Sequence, residues 1–147
     1  MNYQKQFQYN EQIIGHFIDC LKQNENASDK SSLWLSHVIN ALDIWVRRIQ
    51  ETESSVKVWD VHTIQELHQM NRECHREIFK LLDIGNLHGI HSYTNSKGDA
   101  FQNTLDEILT HLIIHSGHHR AQIAADWSAS GIRPPVSDFI YWARKQQ

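Results

Sequence analysis

Three of the eleven histidines stand at positions that suit one shared metal ion. His115 and His119 are four residues apart in a segment of helical periodicity, so their rings lie one turn apart on one helix face. His37 is the one histidine of a second, strongly apolar segment, where it falls within the apolar sector. Imidazole nitrogen binds zinc, nickel and ferrous iron, and the pattern therefore predicts a divalent transition-metal site.

The same pattern has a simpler alternative, because pairs of histidines at this spacing are common on helices. His115 and His119 could form a hydrogen-bonded pair on a half-buried face and bind no metal. A third ligand is needed for a good site, and a neutral His37 ring facing the core needs a polar partner. Three neutral imidazoles would leave coordination positions open for water or substrate, which is typical of a catalytic site.

Other polar residues flank the histidine row, and each has two interpretations. His111 extends the row by one turn, as a supporting or interface residue or as a competing ligand. Gln122 is either a polar residue at the helix edge or the group that fixes an imidazole by a hydrogen bond. Arg120 is either a salt-bridge residue at the end of the bundle or a contact for an anionic substrate group. We expect packing or surface positions for His118 and surface positions for the remaining histidines: His16, His62, His68, His75, His88 and His91.

Apolar residues at three-and-four spacing predict the first three helices. The first covers residues 3–23 and is followed by a polar loop over residues 24–30. Ser31 or Asp29 is expected to cap the second helix, which covers residues 32–50. Thr63 and Glu66 have the spacing of a capping box at the start of the third, which ends near residue 83.

The fourth helix follows a long connection over residues 86–98, which has room for a short extended piece. Asp99 is expected to cap this helix, and the apolar pattern continues from Phe101 to Trp127 before two prolines end it. The aromatic tail over residues 139–142 should pack on the helices or on a partner chain. We predict an all-α fold, an antiparallel four-helix bundle, in a single domain over residues 1–147.

Composition narrows the possible functions. The net charge is −3 with neutral histidines, which disfavours nucleic-acid binding because phosphate contacts need a clustered basic surface. No apolar run approaches the roughly 20 residues of a membrane helix. The first ten residues lack a signal-peptide pattern, so we expect a cytoplasmic protein. Cys20 and Cys74 are accordingly expected to be free thiols.

Four segments resemble, in the same order, motifs of the DinB and YfiT-like superfamily. LWLSHVINALDIW, residues 33–45, resembles its second helix, which carries one metal histidine followed by a tryptophan. YTNSKG, residues 93–98, resembles its aromatic-x-Asn-x-x-Gly connection. HLIIHSGHHRAQ, residues 111–122, is similar to its H-x-x-x-H-R-G-Q signature, with Ala121 in place of the usual glycine. GIRPPVSDFIY, residues 131–141, is similar to its G-x-x-P-P-x-x-D-(F/Y) ending.

The resemblance implies a four-helix bundle, commonly a homodimer, whose three-histidine metal site corresponds to His37, His115 and His119. It also implies an enzyme that acts on a small-molecule substrate, a metal-dependent transferase that uses a low-molecular-weight thiol. A metal-dependent hydrolase and a non-catalytic metal-binding protein induced by stress or damage stay open as alternatives. Zinc, nickel and iron suit three imidazoles about equally.

Overall fold

Four long helices form most of the protein in the computed structural model, which describes residues 1–146. Helices hold 64% of the residues, and a two-stranded antiparallel hairpin lies between the third and fourth long helices. The elements in chain order are α1 Tyr3–Gln23, α2 Asp29–Ile49, α3 Ile64–Ile84, β1 Ile90–Thr94, β2 Ala100–Thr104, α4 Leu105–Ala129 and α5 Phe139–Arg144. The chain is therefore mostly helical, as predicted. The strand β1 lies in the connection where a short extended piece was expected, whereas β2 replaces the predicted start of the fourth helix.

The starts of the first three helices are set by side chains that accept hydrogen bonds from free backbone N–H groups. The α1 helix has the predicted bounds and is capped by Asn2. The predicted capping box of Thr63 and Glu66 is present at α3. The α2 helix begins earlier than expected, because the side chain of Ser28 accepts from the N–H of Ser31. The prediction of a cap at Asp29 or Ser31 was therefore wrong.

The α4 helix begins after the hairpin and not at Asp99. Thr104 and Glu107 form a capping box, in which Thr104 is also the last residue of β2. Asp99 lies in the hairpin turn, where its carbonyl oxygen accepts from the N–H of Asn95 at 2.9 Å. Phe101 belongs to β2 and pairs with Tyr93 of β1. The sequence pattern had assigned Phe101 to the fourth helix, because this residue fits both the three-and-four spacing of a helix and the two-residue alternation of a strand.

Contacts between helix ends fix the relative directions of the long helices. Ser36, near the start of α2, accepts from the N–H of His62, just before α3, and Gln50, after α2, donates to Glu77 late in α3. These two helices therefore run in the same direction. Segment 51–63 must return along α2 to connect them, and this departs from the simple antiparallel order that we expected.

The core lies between the helices, where α1 packs mainly on α3, and α2 mainly on α4. Phe17 of α1 stacks on Trp127 of α4, with ring centroids 5.4 Å apart, and both side chains are fully buried. The aromatic tail packs on the long helices as predicted, since Trp142 of α5 is buried and donates to Gln12 of α1 at 2.8 Å. Across residues 1–146, none of the helices combines the length and the apolar character that crossing a bilayer requires.

Candidate metal centre

Two helices bring the three predicted histidines together. His37 projects from α2, and His115 and His119 project from consecutive turns of α4. Each ring offers one nitrogen, and these three atoms lie within 4.8 Å of one another. The Nε2 atoms of His37 and His115 are 3.0 Å apart. The three residues form a group that could hold a metal ion, and we refer to them as the histidine cluster.

The ring of His37 is fixed by segment 51–63. Its Nδ1 lies 3.1 Å from the carbonyl oxygen of Val58, which can only accept a hydrogen bond. Nδ1–H is therefore the donor, and the lone pair of a neutral ring is on Nε2, the atom that faces His115. The indole of Trp59 stacks on one face of the His37 ring, with centroids 4.0 Å apart and planes inclined by 12°.

Buried polar residues of α2 hold segment 51–63 in this position. Asn40 donates from Nδ2 to the carbonyl oxygen of Asp60 at 2.8 Å, and its Oδ1 lies 2.6 Å from Nε2 of His62. The hydroxyl of Ser36 accepts from the N–H of His62 at 3.2 Å. Ser36 and Asn40 are fully buried beneath the returning segment. They provide buried hydrogen-bond partners for the backbone of this segment.

The ring of His119 is fixed by its own helix. Its Nδ1 lies 2.6 Å from Oε1 of Gln122, three residues further along α4. Since an amide oxygen accepts, Nδ1–H donates and Nε2 carries the lone pair. Of the two interpretations of Gln122, the structure therefore has the one in which this residue orients an imidazole. Such contacts are typical of histidines that bind metals.

The third ring, that of His115, is the central one of the cluster. Burial, followed by the nearby His119 and His37, lowers its pKa to about 3, so the ring is neutral at physiological pH. Burial also lowers the pKa of His119, against the opposing effect of its bond to Gln122. Among residues 1–146, the buried Nδ1 of His115 has no hydrogen-bond partner. His115 therefore supplies a neutral nitrogen donor, the form that a metal ion requires.

These observations test whether a divalent transition metal fits the site. Two nitrogens bound to one zinc ion at the tetrahedral angle are about 3.3 Å apart. This value is close to the 3.0 Å between the Nε2 atoms of His37 and His115. In His37 and His119, Nδ1 is bonded to a fixed acceptor, so the lone pair of the neutral ring is on Nε2 and is free for a metal. The donor set fits zinc, nickel or ferrous iron, and nothing in it separates the three metals.

His111 lies next to the cluster and outside it. Its ring is 5.4 Å from that of His115 and 5.5 Å from the indole of Trp45 in an edge-to-face arrangement. Burial, followed by the charge of Arg48, lowers the pKa of His111. The group of nitrogens that lie within 4.8 Å of one another does not include this residue. A packing and neighbouring role therefore fits the structure better than direct ligation.

A cleft of about 700 Å³ lies next to Trp59, and none of the three cluster histidines lines it. Trp59 forms one part of its wall, and Ile44 and Arg48 of α2 form another. This volume lies within the range of about 300–1,000 Å³ that is usual for small-molecule sites. The cleft thus provides space for a small ligand in contact with Trp59.

Arg120 is neither a salt-bridge residue at the end of the bundle nor a residue that is open to an anionic substrate. Its side chain is buried between α1 and α4, where it donates to Oδ1 of Asn10 at 2.5 Å and to the hydroxyl of Tyr9 at 3.4 Å. The same Asn10 contacts Nε2 of His75 at 3.2 Å, and His75 is fully buried. The expectation of a surface position for His75 was wrong. Its hydrogen bonds to Asn10 and Asn71 supply the polar partners that a buried imidazole needs.

Sequence reasoning missed Trp59 and the segment that carries it. Val58, Trp59 and Val61 were the available signal, as apolar residues in an otherwise polar stretch between two helices. Their contact with His37 depends on how the segment returns along α2, which no local pattern specifies.

Comparison with known proteins gives one positive result. The model of the DinB family matches residues 19–147, which is nearly the whole chain and includes all three residues of the histidine cluster. Among curated protein sequences, none matches this chain.

Proposed function

The chain belongs to the DinB family, and from this premise we propose that His37, His115 and His119 bind one divalent transition-metal ion in a thiol-dependent transferase. The observation that carries the proposal is the convergence of three ring nitrogens within 4.8 Å, from two different helices. Two of the rings are held by hydrogen bonds at Nδ1, which leaves Nε2 available as the ligand atom.

The arrangement of ligands favours catalysis over a purely structural site. A structural zinc site is usually closed by four protein ligands, whereas this cluster supplies three. A metal ion held there would lower the pKa of a bound thiol or water and so supply a nucleophile near neutral pH. In the transfer that we propose, the thiol loses its proton, its sulfur forms a bond to an electrophilic carbon, and the leaving group departs from that carbon.

Residues around the cluster have supporting roles in this proposal. Val58 and Gln122 orient His37 and His119, and Trp59 covers one face of His37 and limits the approach of water. The hydrogen-bond partners of His37 and His119 are a carbonyl and an amide, not a carboxylate. We therefore assign no general base among the side chains, and the proton of the thiol would pass to solvent.

The broader architecture is part of the same proposal. We interpret the four long helices as a four-helix bundle in one domain over residues 1–147. We also propose that the protein is a homodimer, in which Ile140 and Tyr141 of α5, both exposed on a single chain, are covered by the second copy. Analytical ultracentrifugation tests this point, since a species of about twice 17.2 kDa is expected.

The proposed activity can be tested with a chromogenic electrophile. The protein loaded with zinc, nickel or ferrous iron is mixed with 1-chloro-2,4-dinitrobenzene and a series of low-molecular-weight thiols, and thioether formation is followed by absorbance. We expect turnover that needs both metal and thiol, is lost in His115→Ala and is retained in His118→Ala, whose exposed side chain is outside the cluster.

Two other results would contradict the transferase proposal. Stoichiometric metal binding without turnover for any thiol and electrophile would favour a non-catalytic metal-binding protein. Thiol-independent cleavage of an ester such as 4-nitrophenyl acetate would favour a hydrolase instead.

A further inference from the structure

Arg48 of α2 lines the cleft next to Trp59, and it has no carboxylate partner within 4.0 Å in residues 1–146. We propose that it binds the anionic group of a small molecule held in this cleft. This proposal does not depend on metal binding by the histidine cluster. The anionic group is a carboxylate or a phosphate, which a guanidinium binds in the same two-point geometry.

The contacts of Arg48 hold its charge in place and leave most of its donors free. Its guanidinium carbon is 4.6 Å from the ring centre of Trp45 and 5.0 Å from that of Tyr93. One N–H group donates to the carbonyl oxygen of Thr94 at 3.4 Å, which is a long hydrogen bond. Within residues 1–146, its other four N–H groups have no protein acceptor. An arginine that is fixed by aromatic rings is preorganised for a ligand, because less side-chain freedom is lost on binding.

The neighbouring arginine makes the contrast clear. Arg47 is bonded to Asp43 one turn earlier on α2, at 3.5 Å, and lies outside this cleft. Two adjacent residues of one helix therefore have different environments, one with a carboxylate and one with aromatic rings and a cleft. Burial lowers the pKa of Arg48, but an arginine stays charged at any physiological pH.

The charge of the cleft also favours an anion. Besides Arg48, its charged residues are Lys57 and Asp60, so the lining carries a net positive charge. The carboxylate of Asp60 is occupied in part by the backbone N–H of Lys57, from which it accepts at 2.8 Å. The remaining wall includes apolar side chains of Ile44, Val56 and Trp59, which suit an apolar body attached to the anionic group.

Binding of simple aromatic anions to the full-length protein tests the role of Arg48 directly. The probes are 3-phenylpropionate, phenyl phosphate and the neutral 3-phenyl-1-propanol, which are small enough to fill only the Arg48 end of the cleft. Titrations are followed by the NMR signal of the indole N–H group of Trp59, which lines the cleft and is present in the wild type and in each variant. We expect at least one anion to shift this signal saturably and to bind roughly tenfold or more tightly than the alcohol. Comparison of the carboxylate with the phosphate identifies the preferred group.

Substitutions separate the charge of Arg48 from its packing. Arg48→Gln should weaken binding of the anion roughly 10- to 100-fold and leave binding of the alcohol unchanged. Arg48→Lys should recover only part of the loss, because the ammonium lacks the two-point geometry. Arg47→Gln is the matched control and should bind the anion like the wild type. Equal binding of anion and alcohol by the wild type, or unchanged anion binding in Arg48→Gln, would overturn the proposal.

Metal content measured on the same samples separates the two proposals. Arg48→Gln should bind metal as the wild type does, because Arg48 is outside the histidine cluster. Loss of anion binding with normal metal content would support the role of Arg48 alone. If the wild type bound the anion at Arg48 but no metal, the proposed function would fail and the anion site would stand.

Discussion

The indole of Trp59 and the imidazole of His37 are stacked at 4.0 Å, although the two residues are separated by the end of α2 and much of the following segment. The contact exists because segment 51–63 returns along α2, where Asn40 holds the backbone of Asp60. Segment 51–63 is therefore part of the wall of the site and not only a connection between two helices.

Replacing Trp59 tests this relationship. Trp59→Ala removes the stacking contact that restricts the His37 ring, and such contacts contribute about 1 kcal/mol. We expect roughly fivefold weaker zinc binding, measured by competition with a chromophoric chelator. Trp59→Phe should retain most of the affinity. Val61→Ala, an exposed apolar residue in the same segment, is the control and should have no effect.

Metal content tests the cluster itself. Untagged protein should contain about one equivalent of transition metal by mass spectrometry, and His115→Ala should contain almost none, because two imidazoles hold an ion far more weakly than three. His118→Ala should retain the metal. If neither protein holds metal after incubation with zinc, nickel and ferrous iron, the metal proposal is wrong.

Gln122 should affect metal affinity without contacting the metal. In the wild type, Nδ1 of His119 lies 2.6 Å from Oε1 of Gln122. Gln122→Leu removes this acceptor, and we expect zinc binding to weaken roughly 10- to 100-fold. Gln122→Glu keeps an acceptor oxygen and should restore the affinity. Equal affinities for all three proteins would show that His119 needs no such orientation.

His75 should make the protein less stable in mild acid. Burial lowers its pKa from 6.5 to about 4, so in this interval the unfolded chain binds a proton that the folded chain does not. The stability is therefore unaffected by this group above pH 6.5. As the pH falls toward 4, the free energy of unfolding decreases by up to about 3 kcal/mol.

Urea unfolding at pH 7 and pH 4.5 measures this effect. His75→Gln should lose less stability between the two pH values than the wild type, whatever its absolute stability. His16→Gln changes an exposed histidine and should behave as the wild type does. A pH dependence that is the same in His75→Gln would contradict the assignment.

The start of α4 distinguishes two candidate caps. Thr104→Ala removes the side chain that accepts from the N–H of Glu107 and should cost about 1 kcal/mol in the free energy of unfolding. Asp99→Ala changes only an exposed turn and should cost less than about 0.5 kcal/mol. Chemical denaturation measures both, and the reverse order would favour the cap predicted from the sequence.

Local patterns predicted the features that depend on neighbouring residues in the chain. The bounds of α1, the capping box of α3 and the shared face of His115 and His119 all follow from helical spacing over a few residues. The convergence of His37 with the other two was expected from its place on an apolar face. Binding of a metal by the three residues stays a prediction.

The features that the patterns did not predict depend on contacts between distant segments. His75 is buried in the core, where its ring contacts Asn10 of α1. Arg120 donates a hydrogen bond to the side chain of Asn10. Trp59 reaches His37 only because α2 and α3 run in the same direction. Such pairings are decided by how the helices pack, and residue spacing along the chain does not encode them.

Thr104 ends β2 and also caps α4, so no spacer residue separates the hairpin from the helix. The N–H groups of Leu105 and Asp106 donate to the carbonyl oxygens of Gly89 and Leu87, each at 2.9 Å, on the other side of the hairpin. The junction therefore lacks a hinge, and the hairpin should tilt only together with the first turn of α4. Insertions or deletions in the hairpin would be accommodated at its turn, residues 95–99. An inserted residue at the junction would instead rotate the whole histidine row by about 100° relative to the hairpin.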